Sequence, residues 1–239
     1  MRYKNMRQEP AIATIAALIG DTGRAAMLTA LADGRALPAG ELAAAAGLSA
    51  PAASGHLAKL LDGGLLAVES EGRHRYYRLA GPGVAAILES LSAMAGQPAQ
   101  RAVTRTPEDH ALRHARSCYD HLAGEIGVAV ADALETRGLL VATGGKRLDV
   151  TPEGKKWFSS SLAIEVSTLR PGRNGVACRC LDWTERRHHL AGPLGTNMFQ
   201  RFCDRDWVQR RPGSRAVWIT PTGRDGLRET LGIELATLA

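Results

Sequence analysis

The sequence predicts a mainly α chain with small β-hairpins, an α+β class, folded as two domains of different character. Three observations predict it. Apolar residues up to about residue 95 recur at helical spacing around one short, basic, strand-forming stretch. The string His121-Leu122-Ala123-Gly124 returns as His189-Leu190-Ala191-Gly192, an offset of 68. All four Trp and all three Phe lie beyond residue 150, so an Ala/Leu-rich core gives way to an aromatic one. At 239 residues, 45% hydrophobic and 23% charged, the chain is long enough for two globular domains that each bury a core.

Taken in order, Ile12, Ile15 and Ile19 mark a first helix that breaks at Gly20, and a second runs from about Thr22 to Ala32. Glu41 to Ala46 favours a helix that Gly47 ends, where positive φ costs little. Ser49 is placed as the N-cap of the next helix with Pro51 just inside it. Leu57, Leu60 and Leu61 turn that helix's apolar side inward and leave Ser54, Gly55, His56 and Lys59 outward. A strand, a basic turn at Gly72-Arg73-His74-Arg75, and a second strand from Tyr76 then make a wing. Gly81-Pro82 opens a helix striped with Val84, Ile87, Leu88, Leu91 and Met94. The first and last helices of this domain have apolar surface beyond what its small core covers. That surface suits a homodimer, or else packing within the chain.

Residues 1–95 therefore form one expected domain and 96–109, with two prolines and no apolar period, a linker. Residues 110–239 form a duplicated domain with repeats at about 118–166 and 186–235. Gly127 aligns with Gly195, and Thr151-Pro152-Glu153-Gly154 with Thr220-Pro221-Thr222-Gly223. Each copy is expected to be a helix-strand-strand-helix unit, with first helices at about 122–137 and 190–206, packed about a pseudo-two-fold axis.

Two short helices with a tight turn and a following wing resemble the winged helix-turn-helix of the ArsR/SmtB regulators over residues 10 to 95. The resemblance rests on Glu41-Leu42-Ala43, Ala46-Gly47-Leu48-Ser49, Ser54, His56-Leu57, Leu60, Gly64-Leu65-Leu66, Gly72-Arg73 and Tyr76-Tyr77-Arg78-Leu79. It implies a double-stranded DNA operator as partner and a homodimer reading two half-sites. DNA contacts are then expected from Ser49, Ser54, Gly55, His56, Lys59, Arg73, His74, Arg75 and Tyr76. Lys59 would meet phosphate and His56 and Ser54 base edges. Family metal sites use cysteines on the helix before the turn, or Asp and His on the last helix. Glu41 to Ala46 has neither Cys nor His, and Val84 to Met94 offers only Glu89, so no metal site is expected at these places.

The formal charge is +6, but residues 1–95 carry nine Lys/Arg against eight Asp/Glu, so the positive charge of the reading domain is local to the wing. The N-terminus lacks an apolar segment before a small-residue cleavage site and no apolar run suits a membrane, so a cytoplasmic protein is expected. The four cysteines, Cys118, Cys178, Cys180 and Cys203, are then expected as reduced thiols. The second domain is expected to bind a small organic effector in a crevice lined by His121, Trp183, Arg186, Arg187, His188, His189, Phe199 and Trp207. Asp120 is expected to pair with Arg187 and Arg186 across the axis. No cofactor is expected; the alternative is a metal ion, or a thiol sensor, at Cys118, Cys178, Cys180 and His188. No phosphate loop, nucleophile elbow or zinc-protease helix is present, and Cys118 with His121 on one helix face makes no dyad. The expected function is a repressor that an effector releases from its operator, not an enzyme. A different class, an enzyme or adaptor that uses the winged domain for docking, would show no sequence preference on DNA.

Overall fold

The computed structural model describes residues 12–71, 74–95 and 106–235. Its two compact units are Met1–Ala85 and Ala86–Ala239. The division falls within a helix that the sequence pattern assigns wholly to the first domain.

In the first unit, α1 (Ile12–Ile19) buries none of its residues, and α2 (Thr22–Ala30) opens on Asp21, whose side chain accepts from Arg24 N. Strand β1 (Leu37–Pro38) leads into α3 (Ala39–Ala45) and α4 (Ala50–Asp62). Gly47 has φ +63, so the turn between α3 and α4 uses the left-handed conformation the sequence pattern calls for. β2 (Leu66–Glu71) and β3 (His74–Leu79) form the wing, and β1 adds to β3 as an unforeseen third strand in the order β1-β3-β2. Met27, Leu28, Leu42, Leu57, Leu60 and Leu79 are buried and fix the angle between the helices. Helix α5 (Pro82–Ala95) follows the wing.

Residues 96–105 of the expected linker lie outside the described residues. The end of that linker is helical instead: α6 (Pro107–His114) starts on a capping box in which Thr106 and Asp109 satisfy each other's backbone N–H. The Thr-Pro-Glu-Asp string that reads as a linker is thus a helix start.

The duplicated unit is longer than expected. The first copy runs β4 (Arg116–Cys118), β5 (His121–Ala123), α7 (Gly124–Thr136), β6 (Leu140–Gly144), β7 (Arg147–Val150) and α8 (Pro152–Leu162). The second runs β8 (Ala177–Leu181), β9 (His188–Ala191), α9 (Gly192–Asp204), β10 (Val208–Arg210), β11 (Val217–Ile219) and α10 (Pro221–Leu231). Each copy therefore opens on a hairpin, and the His-Leu-Ala strings are strands rather than helix starts. Leu and Ala favour helix in isolation, but pairing across each hairpin overrides that preference. The helices begin at Gly124 and Gly192, with φ near +80 at both, which no β-carbon tolerates easily.

The copies exchange strands. β7 of the first pairs with β8 of the second, giving the four-stranded sheet β6-β7-β8-β9. The counterpart joins β11 to β4 through the Arg116↔Ala216 bridge and the bonds Ser117 N to Arg215 O and Val217 N to Ala115 O. One apolar core runs through both copies, with Leu134, Phe158, Leu194, Phe199, Phe202 and Leu227 at its centre. The paired Thr-Pro-x-Gly strings behave alike: Thr151 Oγ1 accepts from Gly154 N and Thr220 Oγ1 from Gly223 N.

Candidate functional site

Helix α4 carries a small, polar, solvent-facing side. Ser49, Ser54, Gly55 and Lys59 are exposed, while Ala53, Leu57 and Leu60 face the core. Ser49 stands at the N-cap position without a capping hydrogen bond, so its hydroxyl is not engaged with the helix. Ser54 Oγ donates back to Ala50 O. His56 is half-buried, its Nδ1 3.4 Å from both Asp21 Oδ1 and Arg24 Nη1, which ties it to the start of α2. Arg24 in turn donates to the carbonyls of Leu18 and Ala17 and locks α1 to α2. A spacing pattern cannot show that tether, because it joins residues 32 apart.

On the wing, Arg75 is exposed with its guanidinium carbon 5.5 Å from the Tyr77 ring centre, and Tyr76 is half-exposed. Arg78 donates to Glu69 at 2.7 Å across the hairpin. Arg73 lies outside the described residues, and His74 is described in its backbone alone.

In the second unit the anticipated crevice residues other than the two histidines do not converge. Phe199 is core, and Trp207 is buried with its ring stacked 5.2 Å from Phe202. Trp183 lies over Arg116, 4.7 Å from its guanidinium carbon. Arg186, Arg187 and His188 are exposed, and Arg187 donates to Asp132 rather than pairing with Asp120. Asp120 instead lies 3.1 Å from Nδ1 of its own neighbour His121. Phe199 and Trp207 fill the shared core, and Trp183 packs on Arg116.

The structure does bring His121 and His189 together. Their Nε2 atoms are 3.1 Å apart and their rings tilt by 34°. Cys118 is the cross-strand partner of His121, and Cys180 is the cross-strand partner of His189. The two sulfurs are 4.0 Å apart, and the four ligand atoms of Cys118, His121, Cys180 and His189 all lie within 4.8 Å of one another. Cys178 pairs two positions away along β8, with Ala191, and His188 is exposed, so neither belongs to this group. The structure therefore groups Cys118, His121, Cys180 and His189, in place of the anticipated Cys118, Cys178, Cys180 and His188.

Charge and burial shape the group. The hydrogen bond with Cys118 holds the Cys180 thiol far below its ordinary range against the effect of burial, with His121 and His189 adding to it. The same contact and burial push Cys118 up. Burial opposes a charged His121, yet the hydrogen bonds to Asp120 and Cys180 outweigh it and raise the imidazole to about 9. Glycines leave room: a β-carbon on Gly127 would meet Leu122 O at 2.6 Å and His189 Cβ at 3.5 Å. On Gly195 it would meet Leu190 O at 2.7 Å and His121 Cβ at 3.5 Å, so each helix packs on the other copy's histidine.

Beside the cysteines and histidines stands a buried ion pair. Arg116 Nη2 donates to Asp182 Oδ1 at 2.9 Å, and both side chains are fully buried. Asp182 also accepts from Thr184 N, Thr184 Oγ1 and Glu185 N, and its other oxygen accepts from Gly124 N at 2.7 Å. A loop of the second copy therefore caps the helix of the first. His189 Nδ1 lies 3.1 Å from Asp182 Oδ2, at ion-pair distance but without hydrogen-bond alignment. Burial opposes the Asp182 carboxylate, but His189 and Arg116 hold it well below the usual carboxylate range.

A reading helix beside a wing defines a DNA-binding regulator of winged helix-turn-helix type. No helix among the described residues is long and apolar enough to cross a membrane. A helix-turn-helix domain family matches residues 21–69. The chain is 41% identical over 226 residues, 95% of its length and 99% of the relative's, to the uncharacterized HTH-type transcriptional regulator YdfF of Bacillus subtilis (strain 168). Among solved structures it is similar to NolR from Sinorhizobium fredii, with 29% identity and a TM-score of 0.34, covering 36% of this chain and 86% of that one. It is also similar to the homodimeric winged helix-turn-helix DNA-binding domain of Mb0332 from Mycobacterium bovis, with 28% identity and a TM-score of 0.33, covering 38% and 90%. The chain belongs to the family of helix-turn-helix-type transcriptional regulators.

Proposed function

We propose that this regulator is a homodimeric repressor that reads a palindromic operator with α4 and the wing, and that its second unit receives the releasing signal. The observation that carries the reading is the exposed face of α4, where Ser49, Ser54, Gly55 and Lys59 present small or cationic groups beside the wing. Small side chains let the helix approach the floor of the major groove, and Lys59 supplies a phosphate contact. The outer edge of His56 joins them, held in place by Asp21. Arg73, His74, Arg75 and Tyr76 at the wing take flanking phosphates or the minor groove, where the potential is most negative.

Dimerisation is supported by apolar surface left open: α1 exposes Ile12, and α5 exposes Ile87, Leu91 and Met94. A two-fold protein matches two half-sites, so the dimer and the palindrome belong together. The protein acts through binding and release rather than turnover.

The test is binding of the full chain to duplexes from the DNA upstream of its own gene, measured against salt. A preferred palindromic site with a steep salt slope supports the reading. Equal binding to every sequence at low salt, and none at moderate salt, would sink it.

A further inference from the structure

We infer that Cys118, His121, Cys180 and His189 form a four-ligand Zn²⁺ site that ties the two repeats of the second unit together.

The distances fit a tetrahedron. Around one zinc ion, two sulfurs stand ~3.8 Å apart and two nitrogens ~3.3 Å apart, given the usual bond lengths. The structure has 4.0 Å between the sulfurs and 3.1 Å between the Nε2 atoms, with all four ligand atoms inside 4.8 Å. Two thiolates and two imidazoles are a borderline-soft donor set that suits Zn²⁺ better than Mg²⁺ or Ca²⁺.

The surroundings of the histidines point the same way. His121 Nδ1 faces Asp120 Oδ1 and His189 Nδ1 faces Asp182 Oδ2, both at 3.1 Å. A carboxylate beside Nδ1 leaves Nε2 as the atom available to a metal ion, which would displace any proton there. The two Nε2 atoms stand 3.1 Å apart beside both sulfurs, an arrangement a cation between them stabilises. Cys118, His121 and His189 are buried, while Cys180 is half-exposed and leaves an entry path.

The ligands are placed by the fold, not by a local motif. Each hairpin contributes one Cys–His cross-strand pair, and the two hairpins belong to different repeats. Gly127 and Gly195 let the opposing helices close on the histidines from either side. A metal here joins residues up to 71 positions apart, so it should stiffen the whole duplicated unit. The site belongs to a different unit from α4 and the wing, and does not rest on the operator reading.

The full chain, purified under reducing conditions without chelator, should carry one zinc per chain by elemental analysis. Cobalt(II) added to the metal-free protein should give the intense visible bands of a tetrahedral site together with sulfur-to-cobalt charge-transfer absorption. Cys178→Ser should keep the full spectrum, and Cys118→Ser should lose about half of the charge-transfer intensity. His121→Cys, which adds a third sulfur without removing a ligand, should raise that intensity and still bind metal, a result that survives even if the Cys118 variant fails to fold. Zinc-free protein that shows no tetrahedral cobalt spectrum on titration would overturn the site. So would a spectrum unaltered by both Cys118→Ser and His121→Cys, or a Cys118–Cys180 disulfide that persists under reducing conditions in place of metal.

Discussion

Cys118 and Cys180 hold equivalent hairpin positions, each opposite a histidine, although 62 residues separate them and 68 separate the histidines. The mismatch comes from the hairpin loops. Tyr119-Asp120 closes the first, while Asp182 to Arg187 lie between the strands of the second. The added loop supplies Asp182, which the first copy has no counterpart for, and with it the buried partner of Arg116.

That ion pair gives the first expectation. Arg116 and Asp182 are both fully buried, and removing one partner strands the other charge away from water. Arg116→Met or Asp182→Asn should each destabilise the second unit by about 3–5 kcal/mol, read by denaturant unfolding. An unchanged unfolding midpoint in both variants would mean that the pair contributes nothing.

The same carboxylate sets a pH dependence. Because the folded Asp182 is held below its ordinary range, its contribution is present above the unfolded-state pKa of about 3.9 and fades as pH falls below it. The wild-type protein should therefore lose stability as pH falls below about 4, and Asp182→Asn should flatten that acid limb. Parallel stability–pH curves for the two proteins would refute the assignment.

Gly127→Ala and Gly195→Ala should cost similar amounts, about 1–3 kcal/mol each, since the added carbon would meet a backbone carbonyl at 2.6 and 2.7 Å. Thermal unfolding of the two variants checks it. A large effect at one position and none at the other would argue against equivalent packing in the two copies.

On the reading helix, Lys59→Ala should reduce the slope of log affinity against log salt by about one, with little change in sequence preference. His56→Ala should act twice, lowering the stability of the first unit through its lost contact with Asp21 as well as altering operator preference. Footprinting beside an unfolding curve separates the two effects.

Much of this architecture was legible in the residues. The helix-turn-helix and the wing follow from the Leu57 and Leu60 spacing, the Gly47 turn and Pro51, all of which are local. The duplication follows from two repeated strings. What was not legible depends on pairing between distant segments. Strands β4 and β5 have three residues each, too short for an alternating pattern to declare itself. At an offset of 68 His121 falls on His189, but Cys118 falls on Arg186, six residues past Cys180, so the spacing hides the cysteine match. The clue available was a Cys next to a tight turn and a His in the first copy, and a Cys ahead of a longer loop and a His in the second. The tryptophans pointed elsewhere, because nothing local distinguishes an aromatic residue that fills a core from one that borders a cleft.

Met94→Glu or Leu91→Glu on α5 should shift the protein from dimer to monomer in sedimentation and weaken operator binding in step, since both residues are exposed and apolar. A stable dimer in both variants would place the interface elsewhere.

The exchange of hairpins between the copies has a bearing on how the chain leaves the ribosome. The winged unit is complete once its last strand at Leu79 has been made, and it can fold while synthesis continues. The sheet begun at Leu140 has to wait for Ala177 to Ala191, and the hairpin at Arg116 waits for Ala216. For most of that interval β7 is an unpaired edge, open to the same segment of a neighbouring nascent chain. Crowded polysomes should therefore favour trading of hairpins between molecules, and slow, sparse translation should favour the closed monomeric exchange.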